Sequence, residues 1–406
     1  MGRIIGIDLG TTNSLVSYWD NGASRLIPNR FGEYLTPSVV SIGKNGTVYV
    51  GAAAKQRMIT QPESTVSVFK RAMGTDRTYN LRGKWYRAEE LSALILKALK
   101  EDAEAYLQET IEEAIISVPA YFDDVARKAT RKAGQLAGLR VERIINEPSA
   151  AALACQYANM QQDAKLLVFD LGGGTLDVSL VDCMDNVIEI MAVSGNNHLG
   201  GSDFDRVLAE HFCAKNQMVL GALKPGQQEI ILKAAEKAKI DLSYGEETVM
   251  RAAFDGSSWS LPVTRQDLIR ISAPLFKKIA APIKRVLNDA QVQPFELTRV
   301  VMVGGSSKMF VVQQHLKFLL KNVSFAVADP DHMIALGVGI FAGIKERKED
   351  IQDLILTDIC PFSLGTGIIN RDDPAKGNYM HTLIPRNSSL PASRSGKYYT
   401  TSDAVK

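Results

Sequence analysis

The sequence predicts an α/β protein built of two similar lobes that face a single ligand. Helical and strand-like segments alternate along the chain, as they do in α/β proteins. An apolar run followed by Asp-Leu-Gly and a small-residue loop ending in Thr occurs twice, at residues 4–12 and 167–175. A third strand-like run with a glycine-rich end, residues 300–305, precedes a further helical segment. These three observations together indicate the fold class.

The repeated pattern predicts the same β-hairpin in each lobe, because strand-like residues resume after both loops. Glycine at a hairpin tip permits positive φ and lets backbone N–H groups approach a ligand closely. Successive N–H groups in such a turn form a nest suited to phosphate oxygens. One such loop alone would more often be an ordinary tight turn, whereas two matched copies favour a shared nucleoside triphosphate.

An aspartate, Asp8 or Asp170, ends the first strand of each hairpin. A carboxylate beside a phosphate is repelled unless a cation lies between them. Mg²⁺ fits this place because it prefers oxygen ligands and keeps several of its waters. We therefore expect Asp8 and Asp170 to hold hydrated Mg²⁺ or to orient an attacking water.

Composition and charge exclude several classes of protein. The 406 residues allow roughly two to three domains, and 46% of them are hydrophobic. A formal net charge of +2 indicates neither nucleic-acid nor membrane-surface binding, and no apolar run reaches the ~18 residues of a membrane span. The four cysteines contain no C-x-x-C pair, which argues against a zinc site or a disulfide framework and predicts a cytoplasmic protein.

Hydrophobic periodicity predicts the elements between and after the hairpins. It indicates helices at residues 89–107, 123–137 and 227–242. It also indicates a buried strand at residues 114–118. A longer helical pattern runs over residues 265–290, where Pro282 could kink the helix.

The composition changes after a charged run at residues 345–350. The next segment, residues 353–358, is apolar and bounded by aspartates. It is either a strand that starts a new domain or an apolar linker that docks reversibly in a groove. Strand-like segments then follow at residues 362–369, 379–384 and 397–401.

Four segments of the sequence together resemble the DnaK-type heat-shock protein 70 chaperones. They are Asp8-Leu-Gly-Thr-Thr-Asn-Ser14, Asn146-Glu-Pro-Ser-Ala-Ala-Ala-Leu153, Phe169-Asp-Leu-Gly-Gly-Gly-Thr-Leu-Asp-Val178 and His198-Leu-Gly-Gly-Ser-Asp-Phe-Asp205. The resemblance runs from residue 3 to at least residue 390. Sugar kinases and actin share the paired loops only loosely.

The resemblance implies an actin/hexokinase-like ATPase whose two lobes, each a mixed β-sheet with helices, face a central cleft. It implies lobe I over residues 1–184 and lobe II over residues 185–349, with a return helix near 305–349. An interdomain linker would span 350–360, and an incomplete β-sandwich for substrate binding would span 361–406. Because the family's sandwich needs more strands and a helical lid, we expect the chain to be a fragment.

The resemblance also implies the site residues. Six would be catalytic: Asp8, Lys70, Glu147, Asp170, Thr175 and Asp177. Of these, Lys70 would contact the γ-phosphate and the attacking water, while Asp8 and Asp170 would bind Mg²⁺, and in the family K⁺, through waters. The residues expected to bind ATP or ADP are Gly10, Thr11, Thr12, Asn13, Gly172, Gly173, Gly174, Glu236, Lys239, Ser243, Gly304, Gly305, Ser307, Lys308 and Asp331.

Further residues match positions that couple the ATPase to partners. Pro119 and Arg127 match a proposed proline switch, and Arg143 and Asn146 match positions used for J-domain cochaperones. The linker residues expected to dock are Leu354, Ile355, Leu356 and Asp358. The implied partners are a J-domain protein, a nucleotide exchange factor and, with the missing substrate-binding portion present, unfolded peptides. The exposed C-terminal strands could also pair with a second copy of the chain.

Departures from the family pattern predict altered nucleotide binding. Ile240 and Lys308 stand where the family usually places arginine on the two faces of the adenine, and lysine does not replace a planar guanidinium. We therefore predict that the protein binds nucleotide more weakly, or releases it faster, than a typical member of the family. Phe310 replaces a usual proline, and Thr357 replaces a usual linker leucine.

The function we predict is that of a slow ATP-hydrolysing chaperone fragment. Its nucleotide state would switch lobe closure and linker docking, and thereby the binding of unfolded polypeptides. Three alternatives remain: a chaperone-like binding module with weak or no ATPase activity, a sugar kinase, and an actin-like filament protein.

Overall fold

Two six-stranded sheets, each with an antiparallel hairpin at its centre, form the framework of the protein. The computed structural model describes residues 2–158, 163–184, 187–321, 323–326, 329–347, 355–369 and 378–398.

The first lobe contains the strands and helices of the N-terminal part of the chain. Its strands are β1 (Ile4–Asp8), β2 (Asn13–Asp20), β3 (Ala23–Ile27), β4 (Thr36–Pro37), β5 (Val39–Ile42), β6 (Val48–Val50), β7 (Thr65–Ser67), β8 (Thr78–Leu81), β9 (Lys84–Arg87), β10 (Glu113–Val118) and β11 (Ile144–Asn146). Its helices are α1 (Ala52–Thr60), α2 (Ala88–Leu107), α3 (Asp124–Leu136) and α4 (Glu147–Ala158). The main sheet has the order β11-β10-β1-β2-β3, with β4 also paired to β2.

The second lobe repeats this plan around its own hairpin. Its strands are β12 (Ala164–Leu171), β13 (Leu176–Met184), β14 (Val187–Asn196), β15 (Glu247–Phe254), β16 (Ser257–Thr264), β17 (Arg299–Val303) and β18 (Ser324–Ala326). The helices of this half of the chain are α5 (Gly201–Lys215), α6 (Pro225–Tyr244), α7 (Arg265–Ile271), α8 (Ala273–Asp289), α9 (Phe310–Leu320) and α10 (Met333–Lys345).

Five short strands follow α10 within the described residues: β19 (Ile355–Thr357), β20 (Ile359–Cys360), β21 (Leu364–Ile369), β22 (Asn378–Ile384) and β23 (Ser388–Ser389). Strand β19 joins the second sheet, which has the order β18-β17-β12-β13-β14-β19. The remaining strands form two separate pairs, β20 with β23 and β21 with β22. The strand predicted at residues 397–401 is absent at Lys397 and Tyr398, and its other positions lie outside the described residues.

Strand pairing shows that the second sheet repeats the first. Strand β1 pairs antiparallel with β2 and parallel with β10, while β12 pairs antiparallel with β13 and parallel with β17. The two-lobed α/β architecture predicted from the repeated hairpin is therefore confirmed.

The predicted lobe boundary at residue 184 falls inside the second sheet, between β13 and β14. The change from one sheet to the other occurs between Asn146 and Ala164. The change of sheet comes this early because β12 and β13 form the central hairpin of the second sheet, just as β1 and β2 form the central hairpin of the first.

Helices α4 and α10 lie where the two lobes meet. A single apolar cluster contains residues from both sheets and from both helices, for example Ile115, Val168, Leu153 and Val338. The buried hydroxyl of Ser17 in β2 also donates a hydrogen bond to the backbone oxygen of Ala335 in α10, at 2.5 Å. This packing fixes the base of the cleft between the lobes.

The helix predicted over residues 265–290 is two helices in the structure. Helix α7 ends at Ile271 and α8 begins at Ala273, so the interruption lies at Ser272 and not at Pro282. Pro274 lies in the first turn of α8, where its missing backbone N–H costs no intrahelical hydrogen bond, so its position is typical of a helix start. Helix α8 continues through Pro282 without a break. The other three predicted helices are confirmed as α2, α3 and α6.

Candidate functional site

The tips of the two hairpins touch each other across the cleft. The loop after β1 brings Thr11 and Thr12 against Gly174 and Gly173 in the loop after β12. A Cβ atom added at Gly173 would lie 1.7 Å from the Thr12 hydroxyl oxygen, so only glycine permits this approach. The local hairpin chemistry of two distant segments thus builds one shared loop surface.

Buried carboxylates and one buried lysine lie beneath these loops. The Lys70 ammonium nitrogen is 2.7 Å from the Glu147 Oε1 atom, and each side chain is only 5% exposed. Asp8 accepts a hydrogen bond from the Ser117 hydroxyl at 2.8 Å. Asp8 and Asp170 line the same small cavity as Lys70 and Glu147, with a volume of about 80 Å³, which we call the inner cavity.

Burial makes the carboxyl groups of Asp8 and Asp170 unusually basic. It raises the pKa of Asp8 to about 7, and the charge of Glu147 adds to the rise while Lys70 and Ser117 oppose it. Burial also raises the pKa of Asp170 well above its usual range, with further contributions from Glu147, Asp177 and Asp8. Removing charged groups from water disfavours ionisation, and neighbouring negative charges disfavour it further. A cation placed here would favour the ionised carboxylates.

Asp177 lies on β13 directly opposite Asp170. Burial raises the pKa of Asp177 to about 7, and the charge of Glu147 adds to this rise. Neither of its carboxylate oxygens has a well-aligned hydrogen-bond donor among the described residues. The backbone amides of Tyr121 and Ala120 lie near this carboxylate and offset part of the rise in the pKa of Asp177.

The donor atoms of the inner cavity fit a hydrated magnesium ion. Among the described residues, no group of three or more His, Cys, Asp or Glu side chains is arranged to hold a metal ion directly. The available groups are carboxylate oxygens and the buried Thr11 hydroxyl, for which the described residues provide no hydrogen-bond partner. Mg²⁺ commonly binds through one or two carboxylates while keeping its waters, so this donor set suits contact through water.

A short 3₁₀ helix, Phe69–Ala72, carries Lys70 and Arg71 into the cleft. It begins after Val68, whose φ of 58° is left-handed and therefore strained for a β-branched residue. Arg71 donates to the Gly174 backbone oxygen and to Asp203 Oδ2, both at 2.7 Å. Arg71 thus crosses from the first lobe to the second, a role that the sequence analysis missed although the residue is adjacent to Lys70.

A second cavity, which we call the wide cavity, opens beside the first and has a volume of about 670 Å³. This volume lies within the roughly 300–1,000 Å³ of small-molecule sites. One wall is α6, with Glu236, Lys239 and Ser243, and the other includes Gly305 and Lys308. Both cavities share the residues Thr11, Thr12, Asn13, Gly173, Gly305 and Asp331.

Ion pairs hold the polar groups of the wide cavity. Lys239 is 2.7 Å from Asp205, and Lys308 is 2.5 Å from Asp331. Burial raises the pKa of Asp205 to about 6, although the charge of Lys239 opposes the rise. Across the cleft mouth, Lys55 on α1 is 3.5 Å from Glu236; the sequence analysis gave no role to Lys55 or Asp205.

The glycine loop after β17 completes the junction of the two cavities. Gly304 has a φ of +78°, and a Cβ atom there would lie 2.5 Å from Asp170 Oδ1. The buried Ser307 hydroxyl donates to the Gly304 backbone oxygen at 2.7 Å and so braces the loop from within. Gly10, Gly172 and Thr175 line the inner cavity beside this loop.

Comparison with known proteins gives the family. A family model described as Hsp70 protein matches residues 4–80 and 76–406. The chain belongs to the Hsp70 family. This match and the two mixed sheets confirm the predicted actin-like ATPase fold.

Hsp70 proteins are ATP-binding chaperones and ATPases, usually bind nucleotide with Mg²⁺, and typically work with J-domain proteins and exchange factors. Within the part of the chain that the structure describes, no helix is both long and apolar enough to cross a membrane.

Three of the residues predicted for coupling, Arg127, Asn146 and Asp358, form a polar cluster with Ser149. Arg127 donates to the Asn146 side-chain oxygen at 2.6 Å. Asn146 and Ser149 donate to Asp358 Oδ2 at 2.7 and 3.0 Å. Burial raises the pKa of Asp358, and these donors and the charge of Arg127 oppose the rise. The contact of Ser149 carries no local sequence signal, because its partner, Asp358, lies far along the chain.

Two residues predicted for coupling lie outside these contacts. Pro119 is buried next to the cluster, and its backbone oxygen accepts a hydrogen bond from the Phe122 amide at 3.1 Å. Arg143 is exposed at the surface. Their proposed roles stay predictions.

The linker segment is bound to the edge of the second sheet. Strand β19 pairs parallel with β14, with Ile355 opposite Val187 and Leu356 opposite Ile188. Leu356 is partly buried against the apolar cluster between the lobes, whereas Ile355 is 58% exposed. Ile359 is 2% exposed and belongs to the same cluster. Leu354, also predicted to dock, lies outside the described residues.

Proposed function

We propose that this Hsp70 protein binds Mg²⁺-ATP in the joined cavities, hydrolyses it slowly, and uses its nucleotide state to control linker docking and polypeptide binding. The observation that carries the proposal is the contact of the two hairpin tips above a buried Lys70–Glu147 pair. Backbone N–H groups, a cation and several carboxylates around one small cavity are what phosphoryl transfer to water requires.

The phosphates would lie against the two hairpin loops, and the nucleoside would occupy the wide cavity. Lys70 would donate to the γ-phosphate, exchanging its ion pair with Glu147 for one with phosphate. Thr175 and Asp177 would orient the attacking water, because both are buried: Asp177 lies opposite Asp170 on β13, and Thr175 lines the inner cavity with Asp170. Asp8 and Asp170 would hold hydrated Mg²⁺ as outer ligands, and K⁺ is a further candidate cation. Magnesium would neutralise charge on the phosphates.

No covalent intermediate on the protein is needed. The catalytic contribution would come from positioning the water in line and from electrostatic stabilisation of the γ-phosphate. Gly10 and Gly172 begin the loops that would wrap the phosphates, with Asn13 at the start of β2.

The coupling proposal rests on the adjacency of two contacts. Glu147 pairs with Lys70 in the cleft, and its neighbour Asn146 donates to Asp358 in the linker. A shift of the β11–α4 junction on nucleotide binding would therefore reach both contacts. Such a junction can bias a two-state equilibrium of linker docking.

The energy of linker docking is of the size a switch needs. Reversing a two-state equilibrium takes about 5 kcal/mol of differential binding. The full burial of Ile359 and the partial burial of Leu356 would supply much of that order, since a fully buried aliphatic side chain contributes roughly 1.5–3 kcal/mol. The structure favours these two residues over Ile355, which remains mostly exposed.

A matched pair of linker variants tests this coupling. Leu356→Asp should abolish the stimulation of ATP hydrolysis by a J-domain protein, because it places a charge against the apolar cluster. Ile355→Asp is the control and should retain most of the stimulation, since that side chain faces solvent. Equal stimulation in both variants and the wild type would exclude docking as the coupling step.

Partners follow from the family at a coarser level. We propose that a J-domain protein binds near Arg143 and Asn146, and that an exchange factor acts on the wide cavity. A cytoplasmic location, client polypeptides and pairing of β21–β22 with a second copy stay predictions.

The central experiment is single-turnover ATP hydrolysis with wild type and Lys70→Ala, with and without a J-domain protein. Loss of the buried cation should slow the chemical step by about 100-fold or more. Lys128→Ala is the matched control, because that lysine is 69% exposed and its ion pair is with a surface aspartate, Asp124. Wild-type hydrolysis by Lys70→Ala would refute the proposed catalytic role.

The second candidate is a binding module with weak or no ATPase activity. The presence of Ile240 and Lys308 at the adenine-facing positions favours it, because neither offers a planar stacking group. Nucleotide binding without measurable single-turnover hydrolysis by the wild type would select this alternative.

A further inference from the structure

Arg265, the first residue of α7, contacts two elements that lie at the walls of the wide cavity. Its Nε atom donates to the Leu242 backbone oxygen at 2.8 Å, and an Nη atom donates to the Ser243 oxygen at 3.3 Å. Its guanidinium carbon lies 3.9 Å from the centre of the Phe310 ring. One side chain thus contacts the end of α6 and the start of α9.

The end of α6 needs such a donor. Its last turn, residues 241–244, contains no basic residue, and the final carbonyl groups of a helix have no partner within the helix. A cation is also favoured at a helix C-terminus by the helix dipole. Arg265 satisfies two of these carbonyls from another element and supplies the positive charge.

The other contact leads to the glycine loop. Phe310 is the first residue of α9, two residues after Lys308. The same helix holds the loop from inside, because the Gln313 side chain donates to the Ser307 backbone oxygen at 3.3 Å. The connection therefore runs from Ser243 through Arg265 and Phe310 to Ser307 and Lys308.

Neither Arg265 nor Phe310 is among the described residues that line the wide cavity. The face of a guanidinium packs favourably on an aromatic ring, and lysine does not reproduce that planar contact. The contact can therefore hold the two walls together without touching the ligand.

We propose that Arg265 is a positioning residue whose stack on Phe310 fixes α6 against the glycine loop and sets the rate of nucleotide release. The inference rests on the proposed nucleotide site and adds a residue pair that controls it. Opening of the wide cavity would require α6 to leave the loop, and the stack must break or move when it does.

Release of an ADP that carries a fluorescent N-methylanthraniloyl group tests the proposal in stopped flow. Arg265→Lys and Phe310→Leu should each speed release by about 2- to 30-fold, the range expected for loss of one cation–π contact. The double variant should release no faster than the faster single variant, because both changes remove the same contact. Phe310→Tyr keeps the ring and should release the nucleotide at the wild-type rate.

Two further measurements separate positioning from a general loss of structure. The rate of single-turnover hydrolysis at saturating ATP should stay within about twofold of wild type. A substitution that changes only the free energy of nucleotide binding leaves the rate of the chemical step unchanged. Arg3→Lys is the matched control: Arg3 stacks on Tyr18 at 5.2 Å, away from the cavity, and its replacement should leave release unchanged.

A nucleotide-free measurement makes the inference independent of binding. Amide hydrogen exchange in residues 239–245 should be faster in Arg265→Lys and Phe310→Leu than in wild type, because the end of α6 loses its brace. Wild-type exchange in these variants, wild-type release rates, or fully additive effects in the double variant would each overturn the inference. Failure of the wild type to bind the labelled ADP at any concentration would instead overturn the proposed function.

Discussion

The two central hairpins have the same backbone plan but different chemistry. In the first lobe, Asp8 on β1 lies opposite Leu15 on β2. In the second lobe, Asp170 on β12 lies opposite a second acid, Asp177 on β13. The repeated unit therefore supplies one carboxylate on one side of the cleft and two on the other.

The environments of the two aspartates reflect this difference. Asp8 has a hydrogen bond from Ser117 that partly offsets the rise of its pKa, whereas the negative charge of Asp177 adds to the rise at Asp170. The first lobe also supplies two cations to the site from its 3₁₀ helix. Lys70 forms an ion pair with Glu147, and Arg71 forms one with Asp203. The two lobes thus share one backbone arrangement, and the side chains that differ between their hairpins give each lobe a different chemistry.

The largest effect expected from the difference between the hairpins comes from making the second hairpin like the first. Asp177→Leu copies the residue at position 15, and we expect single-turnover hydrolysis to fall by about 10- to 100-fold because the attacking water loses a positioning group. Nucleotide affinity should change little. Asp177→Asn is the isosteric control, because it removes the charge without changing the side-chain volume. Its rate of hydrolysis, measured by quench flow, should fall by a similar factor.

The thermal stability of these variants sharpens the same comparison. A buried carboxylate without a good donor is costly when ionised, so neither substitution should lower the melting temperature at pH 8. Hydrolysis at the wild-type rate by Asp177→Leu would show that the two hairpins are chemically equivalent after all.

A smaller effect is expected at the adenosine end, where all the expected binding groups come from the second half of the chain. Ile240, which is 50% exposed on the cavity wall, could be replaced by arginine to restore a stacking group. Ile240→Arg should tighten ADP binding by about 2- to 30-fold, as measured by titration calorimetry. Ile240→Lys is the control, because lysine adds the positive charge without a planar guanidinium. Equal tightening of ADP binding by the Arg and Lys variants would refute stacking as the cause.

Beyond these effects on catalysis and binding, Asp8 and Asp177 confer a pH dependence on stability. Their pKa values rise from the usual 3.8 to about 7 in the folded protein. The stability that they contribute is therefore fully present below pH 3.8 and is lost as the pH rises through about 7. We expect the melting temperature of the nucleotide-free protein to include a component that falls between pH 5 and pH 8.

Magnesium nucleotide should reverse this trend, because a cation favours the ionised carboxylates and releases their protons. Calorimetry at pH 6.5 in two buffers of different ionisation enthalpy would measure the released protons directly. Asp177→Asn should release fewer protons than the wild type. Heats that do not depend on the buffer would contradict the predicted titration.

Much of the frame was predictable because its signals are local. The two hairpins, the buried strand β10 and helices α2, α3 and α6 follow from glycine positions and from apolar periodicity within short windows. The break at Ser272 was not found from periodicity, because α7 and α8 each continue an apolar pattern of the same spacing. Only the position of Pro274 in the first turn of α8 could have signalled it.

The sequence alone determined that two equivalent aspartate-ended hairpins exist and that their loops suit phosphate, because strand, turn and loop chemistry depend on neighbouring residues. Only the tertiary structure decided that Arg71 reaches Gly174, that Asn146 and Ser149 hold Asp358, and that Arg265 joins α6 to Phe310. These contacts join residues far apart in the chain, and their geometry depends on how the two sheets and the helices between them pack.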